Sequence, residues 1–384
     1  MKRIYLDHAA TTPIHPSVKQ TMREAMEESF GNPSSIHHFG RESRKRLDEA
    51  RATMAKSINT NYESIIFTSG GTEANNLAIF GTAYANQDKG KHIITTQIEH
   101  HAVLHPCEQL EKEGFDVTYL PVDENGIIDI MDLKNALRKD TILVTIMFAN
   151  NETGMKQPIQ MIGNMLGKRN ITFHTDAVQA YGIEEIDVEQ LRIDLLTVSS
   201  HKIYGPKGIG FLYKRDGVNL VQRLYGGEQE RTWRSGTENT LAIEGFKKAV
   251  ELLMEERNGR NEHYQQLSER LLQTLDEREV DYNVNGELDS EHHVPNILNL
   301  SFSGMDVEMF LTNLDLSGVA VSSGSACTAG SIDPSHVIKA MYGEDSERLR
   351  NSIRFSFGKD NNIEDMEQVA ERIQSIVNRL ASNV

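Results

Sequence analysis

Two reactive side chains stand where packing alone does not explain them. Lys202 lies in "VSSHKIYGPKG" (198–208), where the apolar run "DLLTV" delivers Ser199, Ser200, His201 and Lys202 to the end of a predicted strand and a Gly-Pro turn follows. An amine at a strand's buried end is costly unless it is paired or covalently used. Burial lowers its pKa, which makes it a candidate Schiff-base former; a plain salt bridge is the alternative. Cys327, one of only two cysteines, sits in "SSGSACTAG" (322–330), where seven of nine residues are Ser, Gly or Ala. That composition predicts a mobile, exposed loop. An exposed thiol is a chemical liability unless it is used, whereas the common free cysteine is an inert core filler.

Three further stretches end predicted strands with polar groups. "FTSGGTEANN" (67–76) passes from strand through Gly70-Gly71-Thr72 into a helix. Glycines permit close backbone approach, and a helix N-terminus offers free N–H groups and partial positive charge to an anion; a simple strand-to-helix turn is the alternative. It is neither a Walker A loop nor GxGxxG. "FHTDAVQA" (173–180) ends a strand at Asp176, with Gln179 three residues on. Asp176 either caps the next helix or pairs with a cationic ring nitrogen. "IEHHAVL" (98–104) ends a strand at His100, whose ring suits stacking and proton exchange, or core packing. A lysine for an aldehyde, an aspartate for a pyridinium nitrogen and glycine-loop amides with small hydroxyls for a phosphate describe one ligand, pyridoxal 5′-phosphate (PLP). No HExxH or Cys/His ligand spacing occurs, so no metal is expected.

The elements that must position these groups alternate. Between residues 60 and 215, "SIIFTSG", "HIITTQIE", "DVTYLPV", "TILVTIMFA", "ITFHTDAV" and "DLLTVSSHK" read as buried strands. Helical stretches such as "EANNLAIFGTAYANQ" and "DIMDLKNALRK" separate them. This predicts an α/β fold with a mostly parallel sheet covered by helices, with ligands at the carboxyl ends of its strands. Residues 238–278 predict a long helix, broken near Gly259, that leads into a second αβ pattern. The first dozen residues have no evident place of their own.

Composition limits the possibilities. At 384 residues two domains are expected. A formal net charge of −16 argues against a direct nucleic-acid partner. The locally basic "RESRKRLDEAR" (41–51) interleaves its charges and reads as the solvated face of a helix. No run of 18 apolar residues exists, so no membrane span is expected. "MKRIYLDHAATTP" lacks the apolar core of a signal peptide. Two cysteines make no disulfide framework, and a cytoplasmic location is expected. Cys107, on a helical pattern, reads as a packing residue, and His37-His38 and His292-His293 as surface or packing residues.

The chain resembles the cysteine desulfurases of the NifS/IscS type, PLP enzymes of fold-type I in the aminotransferase class V family. The resemblance is carried by "YLDHAATTP", "GNPSSIH", "TSGGTEANN", "EHHAVL", "NNETG", "HTDAVQA", "SSHKIYGPKGIGFLY", "RSGTEN", "SSGSACTAG" and "SIRFSFG", in that order from end to end. It implies a seven-stranded type of sheet in a large PLP-binding domain (15–258), and a small domain (1–14 and 259–384) carrying the cysteine loop. Lys202 would hold the cofactor aldehyde, Asp176 the ring nitrogen and Gln179 the phenolic oxygen. His100 would stack on the ring and act as acid and base. Thr72, Ser199 and His201, with the backbone at Gly71, would bind phosphate. Thr237 would reach the phosphate of a neighbouring subunit, which implies a homodimer. Asn151 and Arg354 would hold the substrate carboxylate. Cys327 would take sulfur from L-cysteine, leaving L-alanine and a persulfide; its long loop resembles group I of the family. Selenocysteine lyase, a class V aminotransferase and a non-catalytic scaffold are the alternatives. The resemblance implies a sulfur acceptor, a tRNA thiouridylase or an iron–sulfur scaffold protein. Longer relatives carry a C-terminal extension that helps dock the scaffold, and since the chain stops at "IVNRLASNV" the expectation leans to a dedicated donor, for example to a tRNA-thiolating enzyme.

Overall fold

A computed structural model describes residues 2–323 and 334–381. Cys327 lies outside the described residues. Strand β1 (Ile4–Tyr5) is followed by helices α1 (Pro16–Glu28) and α2 (His38–Ser57). The alternating body then runs β2 (Ile65–Thr68), α3 (Gly71–Asn86), β3 (His92–Thr96), α4 (His101–Lys112), β4 (Asp116–Leu120), α5 (Ile130–Ala136), β5 (Thr141–Thr145), α6 (Ile159–Leu166), β6 (Thr172–Asp176), β7 (Leu195–Ser199) and β8 (Gly210–Lys214). Helix α7 (Thr240–Glu277) leads to β9 (Asn283–Val284), β10 (Ile297–Ser301), α8 (Val307–Leu316), β11 (Val319–Ala320), α9 (His336–Tyr342), β12 (Ser352–Ser356) and α10 (Ile363–Ala381).

Seven strands form one sheet in the order β2-β8-β7-β6-β5-β3-β4. Only β8 runs antiparallel to its neighbours. The central strands β3, β5 and β7 are buried at every position, as strands covered on both faces must be. The six apolar runs of the sequence supply six of the strands, and "GFLYK" supplies β8 between the two edge-side neighbours. Every strand of the parallel set therefore ends on one side, where Gly71, His100, Asn151, Asp176 and Lys202 follow.

A second core lies against a smaller antiparallel sheet, β12-β10-β9. It joins Tyr264, Leu267, Leu271 and Leu275 of α7 to Phe355 and to Met366, Val369, Ala370 and Ile373 of α10. The opening residues belong to both cores. Ile4 and Leu6 sit in the second, β1 pairs with β11 in parallel, and Ala9 packs in the first.

Helix α7 is unbroken over 38 residues, contrary to the break expected at Gly259. Gly259 is on the outer face, where an added Cβ would meet nothing. Its cost of about 1 kcal/mol is outweighed by buried side chains on both sides of it. The stretch 41–51 is also not all solvated. Arg51 is 4 % exposed and grips Glu230 through both Nη atoms at 2.7 and 2.6 Å. Ion pairing made the charge compatible with burial, and the partner 179 residues away was invisible to local pattern. Replacing Glu230 with alanine would strand this guanidinium. The expected loss of stability is about 3–5 kcal/mol, read as the denaturant midpoint; a loss below about 1 kcal/mol would contradict the assignment.

Candidate active site

The strand ends surround a cavity of ≈ 420 Å³, within the size range of small-ligand sites. Gly71, Thr72, His100, Asn151, Asp176, Gln179, Ser199, His201, Lys202 and Arg354 all line it. Thr237 does not; it is exposed on the loop before α7.

Lys202 projects from the short turn after β7. Its Nζ donates to the carbonyls of Ala9 and Ala10, the latter at 2.9 Å. Burial, and secondarily the nearby Arg354, lower its pKa to about 8, with Asp7 and Asp176 opposing. The neutral amine is therefore accessible near physiological pH. In cofactor-free protein, labelling of Lys202 by an amine-selective reagent should rise with pH around 8, because only the deprotonated amine reacts. A midpoint in the range of ordinary lysines would contradict this environment.

Asp176 is buried at the end of β6. Its Oδ2 accepts from Asn75 Nδ2 at 2.6 Å and its Oδ1 from the backbone N–H of Val178 at 2.9 Å. No helix lies between β6 and β7 for it to cap; its Oδ1 holds the turn after the strand instead, and the side chain lines the cavity and makes no ion pair among the described residues. Gln179 donates from Nε2 to the Ala9 carbonyl at 3.0 Å, which leaves its Oε1 for a ligand hydroxyl.

At the other wall, α3 starts at Gly71. A Cβ on Gly71 would lie 3.0 Å from Val178 Cγ2 and 3.7 Å from Ser199 Cβ, so the helix starts in close contact with the turn after β6 and the end of β7, and a larger residue would press on Val178. Gly70 adopts φ 149°, reserved for glycine. The first free N–H groups of a 16-residue helix therefore face the cavity beside the Thr72 and Ser199 side chains. His201 Nδ1 lies 3.2 Å from Thr11 Oγ1, and burial followed by Lys202 lowers its pKa to about 4. It is neutral at pH 7.

His100 caps α4, its Nδ1 accepting from Ala102 N–H at 3.0 Å. Its Nε2 makes no hydrogen bond among the described residues, and the side chain lines the cavity. Protein around the ring lowers its pKa, and the Lys202, His101 and His336 charges act the same way against Asp176. Arg354, on β12, donates from Nη1 to the Asn151 carbonyl and from Nη2 to Asp7 Oδ1, both at 2.8 Å.

The chain on either side of residues 324–333 touches this wall. Ser322 exchanges backbone hydrogen bonds with Arg354 at 2.6 and 3.3 Å. Ser335 Oγ lies 2.5 Å from Oε2 of the buried Glu152, whose pKa burial raises to about 6. Sequence reasoning missed Asp7, Ala9, Ala10, Asn75 and Glu152. Asn75 alone left a local signal, as a polar residue inside the apolar face of α3. Cys107 is fully buried, and burial pushes its thiol pKa far up.

The residues fit PLP. A glycine-led helix start takes a phosphate, an unneutralised buried carboxylate takes a ring nitrogen, and a lysine with a lowered pKa takes an aldehyde. Fold and site together define a PLP-dependent enzyme of the aminotransferase type. Among the described residues, no group of three His, Cys, Asp or Glu is placed to hold a metal ion. No helix there is long and apolar enough to cross a membrane.

Residues 4–369 match the family described as aminotransferase class-V. The chain is 57% identical over 380 residues to the putative cysteine desulfurase IscS 1 of Bacillus subtilis (strain 168), covering 99% of this chain and 100% of that one. It is 47% identical over 376 residues to the cysteine desulfurase IscS of Clostridium botulinum (strain Hall), covering 98% and 94%. A solved NifS-like protein superposes with a TM-score of 0.91 at 34% identity, covering 98% of this chain and 100% of that one. The chain belongs to the aminotransferase class V family and, within it, to the PLP-dependent cysteine desulfurases of the NifS/IscS type.

Proposed function

We propose that this enzyme removes sulfur from L-cysteine, releasing L-alanine and leaving a persulfide on Cys327 that is passed to an acceptor protein. The observation that carries the reading is the single cavity into which Lys202, Asp176, His100 and Arg354 converge from four separate segments. When bound, PLP draws electron density from the substrate's α-carbon and so labilises the neighbouring bonds. Lys202 tethers the aldehyde and carries a proton at Nζ. Asp176, held rigid by Asn75 and Val178, keeps the ring nitrogen protonated by its charge. Gln179 aligns the phenolic oxygen, while Gly71, Thr72, Ser199 and His201 hold the phosphate. His100 moves a proton at Nε2; burial lowers its pKa and so favours the neutral ring, which is ready to accept a proton first. Arg354 and Asn151 take the substrate carboxylate; the guanidinium matches its two oxygens. The net transfer balances without an oxidant: thiol plus cysteine give persulfide plus alanine.

The chain is read as two units, 15–258 and 1–14 with 259–384, and as a homodimer in which Thr237, exposed here, reaches the partner's phosphate. The cytoplasm supplies the reducing setting, and the acceptor is a tRNA thiouridylase or an iron–sulfur scaffold protein.

The test is product identification. L-Cysteine with a reductant should yield alanine and sulfide in equal amounts. A 2-oxo acid should yield no amino acid by transamination. Alanine from selenocysteine but not from cysteine, or transamination alone, would overturn the reading.

A further inference from the structure

The carboxylate anchor is already engaged by a carboxylate of the chain itself. Arg354 is 5 % exposed. Its Nη2 meets Asp7 Oδ1 at 2.8 Å, its Nη1 meets the Asn151 carbonyl, and its buried Nε has no partner among the described residues. Asp7 is held to this place by its backbone. It bridges Ser356, two residues along β12 from Arg354. Leu6 O accepts from Ser356 N–H at 2.8 Å, and Ala9 N–H donates to Ser356 Oγ at 2.9 Å. The side chain of Asp7 remains 22% exposed. The pair is therefore a fixed internal carboxylate sharing one guanidinium with whatever anion enters the cavity.

We propose that Asp7 sets the affinity of the active site for carboxylates by competing, through its charge, with the substrate carboxylate for Arg354. The inference rests on the reading that Arg354 holds the substrate carboxylate. An incoming carboxylate either displaces Asp7 from Nη2 or binds beside it, and in both cases it works against a like charge a few ångströms away. A weaker hold on carboxylates favours release of an amino-acid product as much as it opposes capture of the substrate.

Asp7→Asn separates charge from geometry, since the amide oxygen still accepts from Nη2. The probes are L-alanine and L-alaninamide, which share amine and methyl group and differ only in the carboxylate. Each is titrated into holoenzyme, following the cofactor absorbance, and the ratio of the two Kd values is compared between proteins. Asp7→Asn should raise the preference for L-alanine over the amide by about tenfold. A merely structural role for Asp7 would change both ligands alike and leave the ratio fixed. An unchanged or lowered preference overturns the proposal. Arg354→Ala, taken through the same titrations, should erase the preference; if it persists there, the carboxylate reading beneath the proposal fails instead. Should Asp7→Asn not fold, Asp7→Ser keeps an acceptor without the charge and carries the same comparison.

Discussion

Alanine release from L-cysteine should fall by at least about 10³-fold when Lys202 is replaced by alanine, because one substitution removes both the covalent tether and a proton carrier. The rest of the cavity should survive. Asp176 keeps its hydrogen bonds from Asn75 and Val178, and the start of α3 keeps its close contact with the turn after β6 and the end of β7. The variant should therefore still bind PLP from solution but lose it on gel filtration, where the wild type stays coloured. The Ala9 and Ala10 carbonyls that receive Nζ are left to water, so a modest loss of stability is expected. Activity within tenfold of wild type would show that another amine serves, and Lys202 would lose its role.

Cys327→Ala should have a second large effect, of a different kind. The groups expected to hold the cofactor, Lys202, Asp176, Gln179, Gly71, Thr72, Ser199 and His201, come from other segments of the chain, so cofactor content should equal that of the wild type. Alanine release from L-cysteine should drop by about 10²-fold or more, as expected when a nucleophile is removed. Cys107 cannot replace it. That thiol has no exposed surface and its pKa is driven far up by burial, so the thiolate is inaccessible. Loss of cofactor together with activity would instead give Cys327 a part in building the cavity.

Gly71, His100, Asp176 and Lys202 were legible because each stands where an apolar run of strand character stops at a glycine or a polar group, whereas Asn151, Thr237 and Arg354, the last inside β12, were reached only through the family resemblance. Strand ends of a parallel sheet converge on one edge, so Gly71, His100, Asp176 and Lys202 could be placed together from pattern alone. Their supports were not legible, because each comes from far along the chain. Asp7 meets Arg354 across 347 residues, Ala9 meets Lys202 across 193, and Asn75 meets Asp176 across 101. No periodicity encodes such pairs. Local rules also misjudged two positions. Gly259 is tolerated in α7 since it faces outward, and Arg51 is buried since Glu230 neutralises it. The N-terminal dozen looked unplaced because its short strand pairs with β11 while its next residues cap the cavity floor.

The central claim is that sulfur leaves L-cysteine and comes to rest on one particular thiol. A single-turnover reaction of holoenzyme with L-cysteine, without reductant, followed by peptide mass mapping, tests it most directly. The account predicts a one-sulfur gain on the peptide containing Cys327, none on that containing Cys107, and alanine in matching amount. Alanine formed with no gain on the Cys327 peptide, or with the sulfur on Cys107, would contradict it.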